Sequence, residues 1–179
     1  KRVHLELGGK APVVVFAVAD LAAAAEAIAV AGYFNAGQDC TAATRVIVQD
    51  SVYDDFVALL TEQAKGIALG APHDDDVFLG PVNNSNQLAR VSDLLSRVPA
   101  HAQVMSGGSA LDRPGFFFPA TVVAGLRQDD ELIQKEIFGP VITVQKFTDE
   151  AQAVSMANGV EYGLASSVWT ANHGTAMRM

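Results

Sequence analysis

The sequence is poor in cysteine, in cations and in long apolar runs, and each shortage excludes something. Cys40 is the one cysteine among 179 residues, which rules out an internal disulfide and a multi-cysteine zinc site. Twelve Lys+Arg stand against 20 Asp+Glu, for a net charge of −8. With so few cations to neutralise a run of phosphates, no nucleic-acid partner is expected. The longest unbroken apolar stretch, residues 11–19, contains Pro12 and is far shorter than the roughly 20 residues of a spanning helix. No membrane partner is expected either. His4, His73, His101 and His173 are scattered without metal-ligand spacing, and the runs Asp74-Asp75-Asp76 and Asp129-Asp130-Glu131 lack the spacing of a calcium loop. A bound metal is therefore not expected. The chain opens on Lys1 with no charged-then-apolar leader and closes on Arg178-Met179. It reads as a piece of a larger cytoplasmic protein, cut at both ends. In that compartment the sequon Asn83-Asn84-Ser85 carries no meaning.

What the chain has is apolar substance, half of all residues, enough for one packed domain. Strands are expected at 13–16, 44–49, 103–106, 141–147 and 164–169. The stretches 116–118 and 121–123 flank Pro119, which points to an edge or bent segment. Helices are expected at 21–31, where Asp20 offers an N-cap, from Ser51 onward, at 87–98, at 149–157 and from 171 to the end. Phe56, Leu59, Leu60 and Ala64 form the apolar stripe of the second helix, and Leu88, Val91, Leu94, Leu95 and Val98 that of the third. Asn158-Gly159 suits a left-handed C-cap. Strands alternating with helices imply a three-layer αβα domain of class α/β with a mostly parallel sheet.

Three segments bear residues suited to chemistry. Cys40 follows Asn35-Ala36-Gly37-Gln38-Asp39, a polar loop between a helix and a strand, where functional side chains concentrate. A buried small hydrophobe is the plain account of a lone Cys; a nucleophile would need its thiolate favoured by a cation, a helix N-terminus or backbone donors. Glu6 sits between Leu5 and Leu7, just before Gly8-Gly9-Lys10. It is either a surface partner of Lys10 or a carboxylate desolvated by its leucines towards general-base duty. Glu136, in Lys135-Glu136-Ile137-Phe138-Gly139-Pro140, is either a solvated helix-end carboxylate or a ligand contact. Phe138 by itself suits the core.

Together, Leu5-Glu6-Leu7-Gly8-Gly9-Lys10, Asn35-Ala36-Gly37-Gln38-Asp39-Cys40 and Glu136-Ile137-Phe138-Gly139-Pro140 resemble the aldehyde dehydrogenase superfamily's general-base, nucleophile and nicotinamide-site motifs. The resemblance runs over all 179 residues and includes Tyr162-Gly163-Leu164-Ala165. It implies an oxidoreductase that converts an aldehyde to the carboxylic acid through a thiohemiacetal and a thioester on Cys40. The Cys40 N–H would be one oxyanion donor and Glu6 the base that activates water. Glu136, Phe138 and Gly8 would contact NAD or NADP, and the parent would be a homodimer or homotetramer. A narrower resemblance is to enzymes of aminobutyraldehyde and betaine aldehyde. There Asp39, next to the nucleophile, would attract an ammonium-bearing aldehyde; otherwise it caps the following turn. No Gly-x-Gly-x-x-Gly occurs, so residues 1–179 are expected to be a partial catalytic domain without its dinucleotide-binding domain, inactive alone. A non-catalytic domain that keeps the fold, or a cysteine-dependent acyltransferase or hydrolase, is the alternative.

Overall fold

Four short runs of β-branched and apolar residues are buried on both faces, the signature of central parallel strands. In the computed structural model, which describes residues 1–179, these are β1 (Pro12–Val15), β2 (Arg45–Gln49), β4 (Thr121–Ala124) and β5 (Val141–Phe147). Two more exposed strands, β3 (Gln103–Ser106) and β6 (Ser167–Trp169), close the edges. The order is β3-β4-β5-β2-β1-β6, parallel throughout except for the β3–β4 pair. The α/β class and the mostly parallel sheet follow the sequence expectation.

Side-chain alternation sends successive strand residues to opposite faces, and helices cover both. One face carries α1 (Leu21–Tyr33) and α2 (Tyr53–Gly66), packed on Val13, Val15, Val46, Val48, Val122, Ile142 and Val144. The other carries α3 (Ser85–Ser96) and α4 (Glu131–Gln134) on Val123 and Val141, and α5 (Glu150–Ala157) on Val14, Ile47 and Phe147. A last helix, α6 (His173–Arg178), is capped by Asn172. No helix is long and apolar enough to cross a membrane.

Several local expectations need correction. Ser51 caps nothing: Asp50–Val52 form a 3-10 turn, and α2 starts at Tyr53 without a side-chain cap. Asp54 and Asp55 in its first turn supply favourable charge instead. The stretch around Pro119 is not an edge: residues 116–118 form no strand, and β4 lies inside the sheet between β3 and β5. Pro119 is tolerated because it precedes the ladder, where no backbone donor is needed. Neither Asn158 nor Gly159 is left-handed; the end of α5 is closed by the Asn158 amide and side chain, both donating to the Val154 carbonyl. The sixth strand is shorter than 164–169, because Leu164 lies out in solvent.

Candidate active site

In a parallel sheet every strand begins at the same end, so segments that precede neighbouring strands are brought together whatever their sequence separation. Gly8-Gly9-Lys10 precede β1, Cys40 precedes β2, Glu136 to Phe138 precede β5, and Tyr162 to Leu164 precede β6. Open α/β sheets usually hold ligands at the carboxyl ends, where chains leave in opposite directions. Here the divergence is at the amino ends. The chain reaches β2 from the α1 face and β5 from the α4 face, and the two loops meet beside β1.

An open cavity of about 510 Å³ lies there, lined by Glu6, Leu7, Gly8, Gln38, Asp39, Cys40, Glu136 and Phe138. It gathers all six residues singled out from the sequence. No histidine is in that lining, though His4 bonds Glu6, which is. A slightly larger cavity, about 530 Å³, opens beside Tyr53, Gln145 and Met156 and shares none of these residues.

The three motifs interlock through backbone contacts that only glycine allows. A Cβ on Gly9 would overlap the Cys40 carbonyl oxygen, and one on Gly37 would overlap the Gly139 carbonyl. Gly37 has a φ of 68°, and Asn35 and Ala36 before it have φ of 50° and 57°. Three successive left-handed residues are costly outside glycine, and such strain tends to collect at functional sites. Asn35 is held by reciprocal bonds, its Nδ2 donating to the Gln38 carbonyl at 3.0 Å and Gln38 Nε2 donating back at 3.2 Å.

Cys40 is half-buried at the cavity wall, and its backbone N–H makes no hydrogen bond to a protein acceptor. That leaves a fixed donor free next to the thiol. Asp39 is engaged with its own turn: Oδ1 accepts from the Thr41 N–H at 2.6 Å and from the Thr41 hydroxyl at 2.7 Å. Those two donors, the hydroxyl first, hold its carboxyl below the usual range. The turn-capping account of Asp39 is therefore realised, and the carboxylate still borders the cavity.

Glu6 departs from expectation. Its side chain is 86% exposed and bonds His4, not Lys10. Leu5 and Leu7, expected to desolvate it, are 68% and 70% exposed. Lys10 is buried instead. Glu136 Oε1 accepts from the Gly9 N–H at 2.8 Å, and a Cβ on Gly8 would come within 2.6 Å of Oε2. Phe138 is left-handed at φ 58° and partly exposed, so its ring belongs to the cavity and not to the core.

Sequence reading missed three polar supports. Gln87 Nε2 donates to the carbonyls of Ile137 at 3.1 Å and Phe138 at 2.6 Å, and Arg90 donates to the Glu136 carbonyl at 2.6 Å. Only the apolar stripe of α3 was legible; its polar face, which holds the Glu136 loop, follows no spacing rule. The third is Arg45, wholly buried in β2. Its Nε donates to the Lys10 carbonyl at 3.0 Å, and its two terminal nitrogens to Met156 at 2.9 Å and Ala157 at 2.8 Å. It thereby adds donors to the carbonyls of the last turn of α5 and ties them to the segment before β1 that carries Gly8 and Gly9. Burial brings its guanidinium down to about 10.

The residues present suit the nicotinamide–ribose end of a dinucleotide. Glu136 offers carboxylate acceptors for sugar hydroxyls, Phe138 an exposed aromatic face, and Gly8 a surface without a side chain at the carboxylate. No phosphate cradle accompanies them, since no glycine-rich phosphate motif occurs in the chain.

A family model described as "Aldehyde dehydrogenase family" matches residues 1–179. Lactaldehyde dehydrogenase of Escherichia coli strain K12 is 41% identical over 179 residues, covering 99% of this chain and 37% of that protein. Betaine aldehyde dehydrogenase of Bacillus subtilis strain 168 is 37% identical over 175 residues, covering 95% of this chain and 36% of the relative. A crystal structure of betaine aldehyde dehydrogenase from Staphylococcus aureus, described as in complex with NAD+, superposes with a TM-score of 0.93 at 37% identity, over 97% of this chain and 35% of that one. The chain thus spans a little over a third of the length of the relatives it matches.

Proposed function

We propose, for a chain that belongs to the aldehyde dehydrogenase family, that it is the greater part of the catalytic domain of an NAD(P)-dependent aldehyde dehydrogenase. The dinucleotide-binding domain lies outside these residues. One observation carries the reading: residues up to 132 positions apart in sequence, from Glu6 to Phe138, border a single cavity at the amino ends of the strands.

Cys40 attacks the aldehyde carbon as thiolate, and the carbonyl electrons move to oxygen to give a thiohemiacetal. The free N–H of Cys40 donates to that oxyanion, a fixed dipole that needs no reorganisation as charge develops. Bound beside Glu136, Phe138 and Gly8, the nicotinamide would supply the acceptor for the hydride leaving the substrate carbon. Glu6 then takes a proton from water as its oxygen attacks the thioester, and the acid leaves as the Cys40 thiolate is restored. The exposed, His4-bonded Glu6 seen here has the freedom to turn along the cavity that it lines.

Assaying the purified 179-residue chain beside its full-length parent, with an aldehyde and NAD+ or NADP+, tests the assignment. Turnover is expected from the parent and none from the chain alone. Reduction of the nicotinamide by the isolated chain would refute the partial-domain reading, and a parent without turnover would refute the dehydrogenase itself.

An amino-aldehyde substrate is proposed from Asp39. Because its carboxylate is held ionised by Thr41 at the cavity rim, it attracts an ammonium group by about 1 kcal/mol at this partly exposed position. Asp39→Ala in the parent is expected to reduce kcat/KM for 4-aminobutanal about fivefold more than for an uncharged aldehyde of the same length. Equal losses on both substrates would remove the charge argument.

A further inference from the structure

Lys10 is a buried lysine whose Nζ has no hydrogen-bond partner. The residue is 2% exposed. An ammonium sealed from water without an acceptor is costly, so the surroundings decide what it does. Two charged groups act on it: Arg45 from β2, which repels it, and Glu136 from the loop before β5, which attracts it. Arg45 is occupied with three carbonyls, one of them that of Lys10 itself. Glu136 is held by the segment before β1 to which Lys10 belongs, through the Gly9 N–H at 2.8 Å, one residue from Lys10. No salt bridge within 4 Å joins Lys10 to Glu136. Tyr162, which receives a 3.4 Å bond from the Glu136 N–H, adds a hydroxyl near the carboxylate's backbone. Burial, then Arg45, brings the Lys10 ammonium down to about 7, with Glu136 opposing.

We propose that Lys10 is a positioning residue for the Glu136 carboxylate. As an ammonium it draws the carboxylate onto the Gly8–Gly9 backbone, and as an amine it lets the carboxylate turn into the cavity. The only covalent change is loss or gain of one proton at Nζ, exchanged with water. For its consequence in the enzyme, the idea rests on Glu136 as a cofactor contact; the position of the carboxylate itself is measured without that reading.

The Gly9 amide reports on it directly, because its proton shift depends on the bond to Glu136 Oε1. Amide spectra of the 179-residue chain are to be followed from about pH 5.5 to 8.5, a range in which ordinary lysines do not titrate. In the unsubstituted chain the Gly9 proton is expected to move upfield in one step with a midpoint near 7. The step is expected to vanish in Lys10→Met and in Glu136→Gln, with the remaining amides still dispersed. Lys10→Gln, close in length and polar, serves as a second variant if the methionine disturbs packing. No step in the unsubstituted chain, or a step that survives at position 10, overturns the proposal. In the parent, KM for the nicotinamide cofactor should fall severalfold over the same range, with KM for aldehyde unchanged, and the fall should be lost in Lys10→Gln. An identical cofactor profile in that variant also overturns it. A parent that does not turn over leaves the Gly9 measurement standing, so the two readings fail separately.

Discussion

Replacing Cys40 with Ser in the parent enzyme is expected to lower aldehyde oxidation by roughly 10⁴-fold or more, with binding of the nicotinamide cofactor little changed. The expectation rests on chemistry as much as on position. A thiol is appreciably ionised near neutrality and its sulfur is polarisable, whereas a hydroxyl at the same place needs a base beside it to attack at all. The one candidate base of the cavity, Glu6, is turned out to solvent and bonded to His4. The substitution is nearly isosteric and the side chain is only half-buried, so loss of fold does not account for loss of rate. Steady-state kinetics with a parallel thermal melt separate the two effects. Residual turnover within tenfold of the unsubstituted parent would mean that the thiol is not the nucleophile. Because Cys40 is the one cysteine here, alkylation of the isolated chain should add a single adduct, identified by peptide mass.

The second large effect concerns folding. Arg45→Met is expected to destabilise the 179-residue chain by about 3 to 6 kcal/mol: three bonds from a charged donor, about 1.5–3 kcal/mol each, are lost, and burial of the methionine side chain offsets about 1.5–3 kcal/mol. The carbonyls of Lys10 and Ala157 would lose the donor that Arg45 supplies, and that of Met156 would keep the Gly159 N–H. Arg45→Lys should recover less than half of the loss, because an ammonium cannot reproduce the planar fork that reaches α5 and the segment before β1 together. Urea titration of the three proteins gives the comparison through the midpoint and slope. A shift below about 1 kcal/mol for the methionine variant would show that the three bonds add little beyond packing.

How far the fold could be read from the sequence depends on the range of the forces involved. Val141–Phe147 is plain in the sequence because seven residues of β-rich character suffice to mark a strand. The Leu88, Val91 and Leu95 stripe likewise marks α3. Boundaries were less legible where local options compete. Ser51 has the composition of a cap, yet the chain leaving β2 makes a 3-10 turn there and the helix starts two residues later. Pro119 suggested an edge, whereas the strand begins after it and is buried inside the sheet.

At the cavity, Glu6, Gly8, Asp39, Cys40, Glu136 and Phe138 could be named from three motifs, and all border one space. Their surroundings could not be named. Leu5 and Leu7 looked like a desolvating pair for Glu6 and are solvent-exposed, while Lys10 looked like its surface partner and is buried. Gln87 and Arg90 lie off the apolar stripe of α3 and hold the backbone of the Glu136 loop. Arg45 sat in a run otherwise apolar, and its acceptors lie as many as 112 residues away.

By itself the sequence determined the alternation of strands and helices, the parallel sheet that this alternation requires, and the residue types that stand in the three motifs. Those follow from periodicity, turn chemistry and residue type, which act over a few positions. Only the tertiary structure decided that the motifs meet at the amino ends of β5, β2 and β1, that Lys10 is buried with its Nζ unpartnered, and that Arg45 joins β2, α5 and the segment before β1. Whether a charge is buried, and against what, depends on elements that fold onto it from elsewhere in the chain, and local pattern carries no record of them.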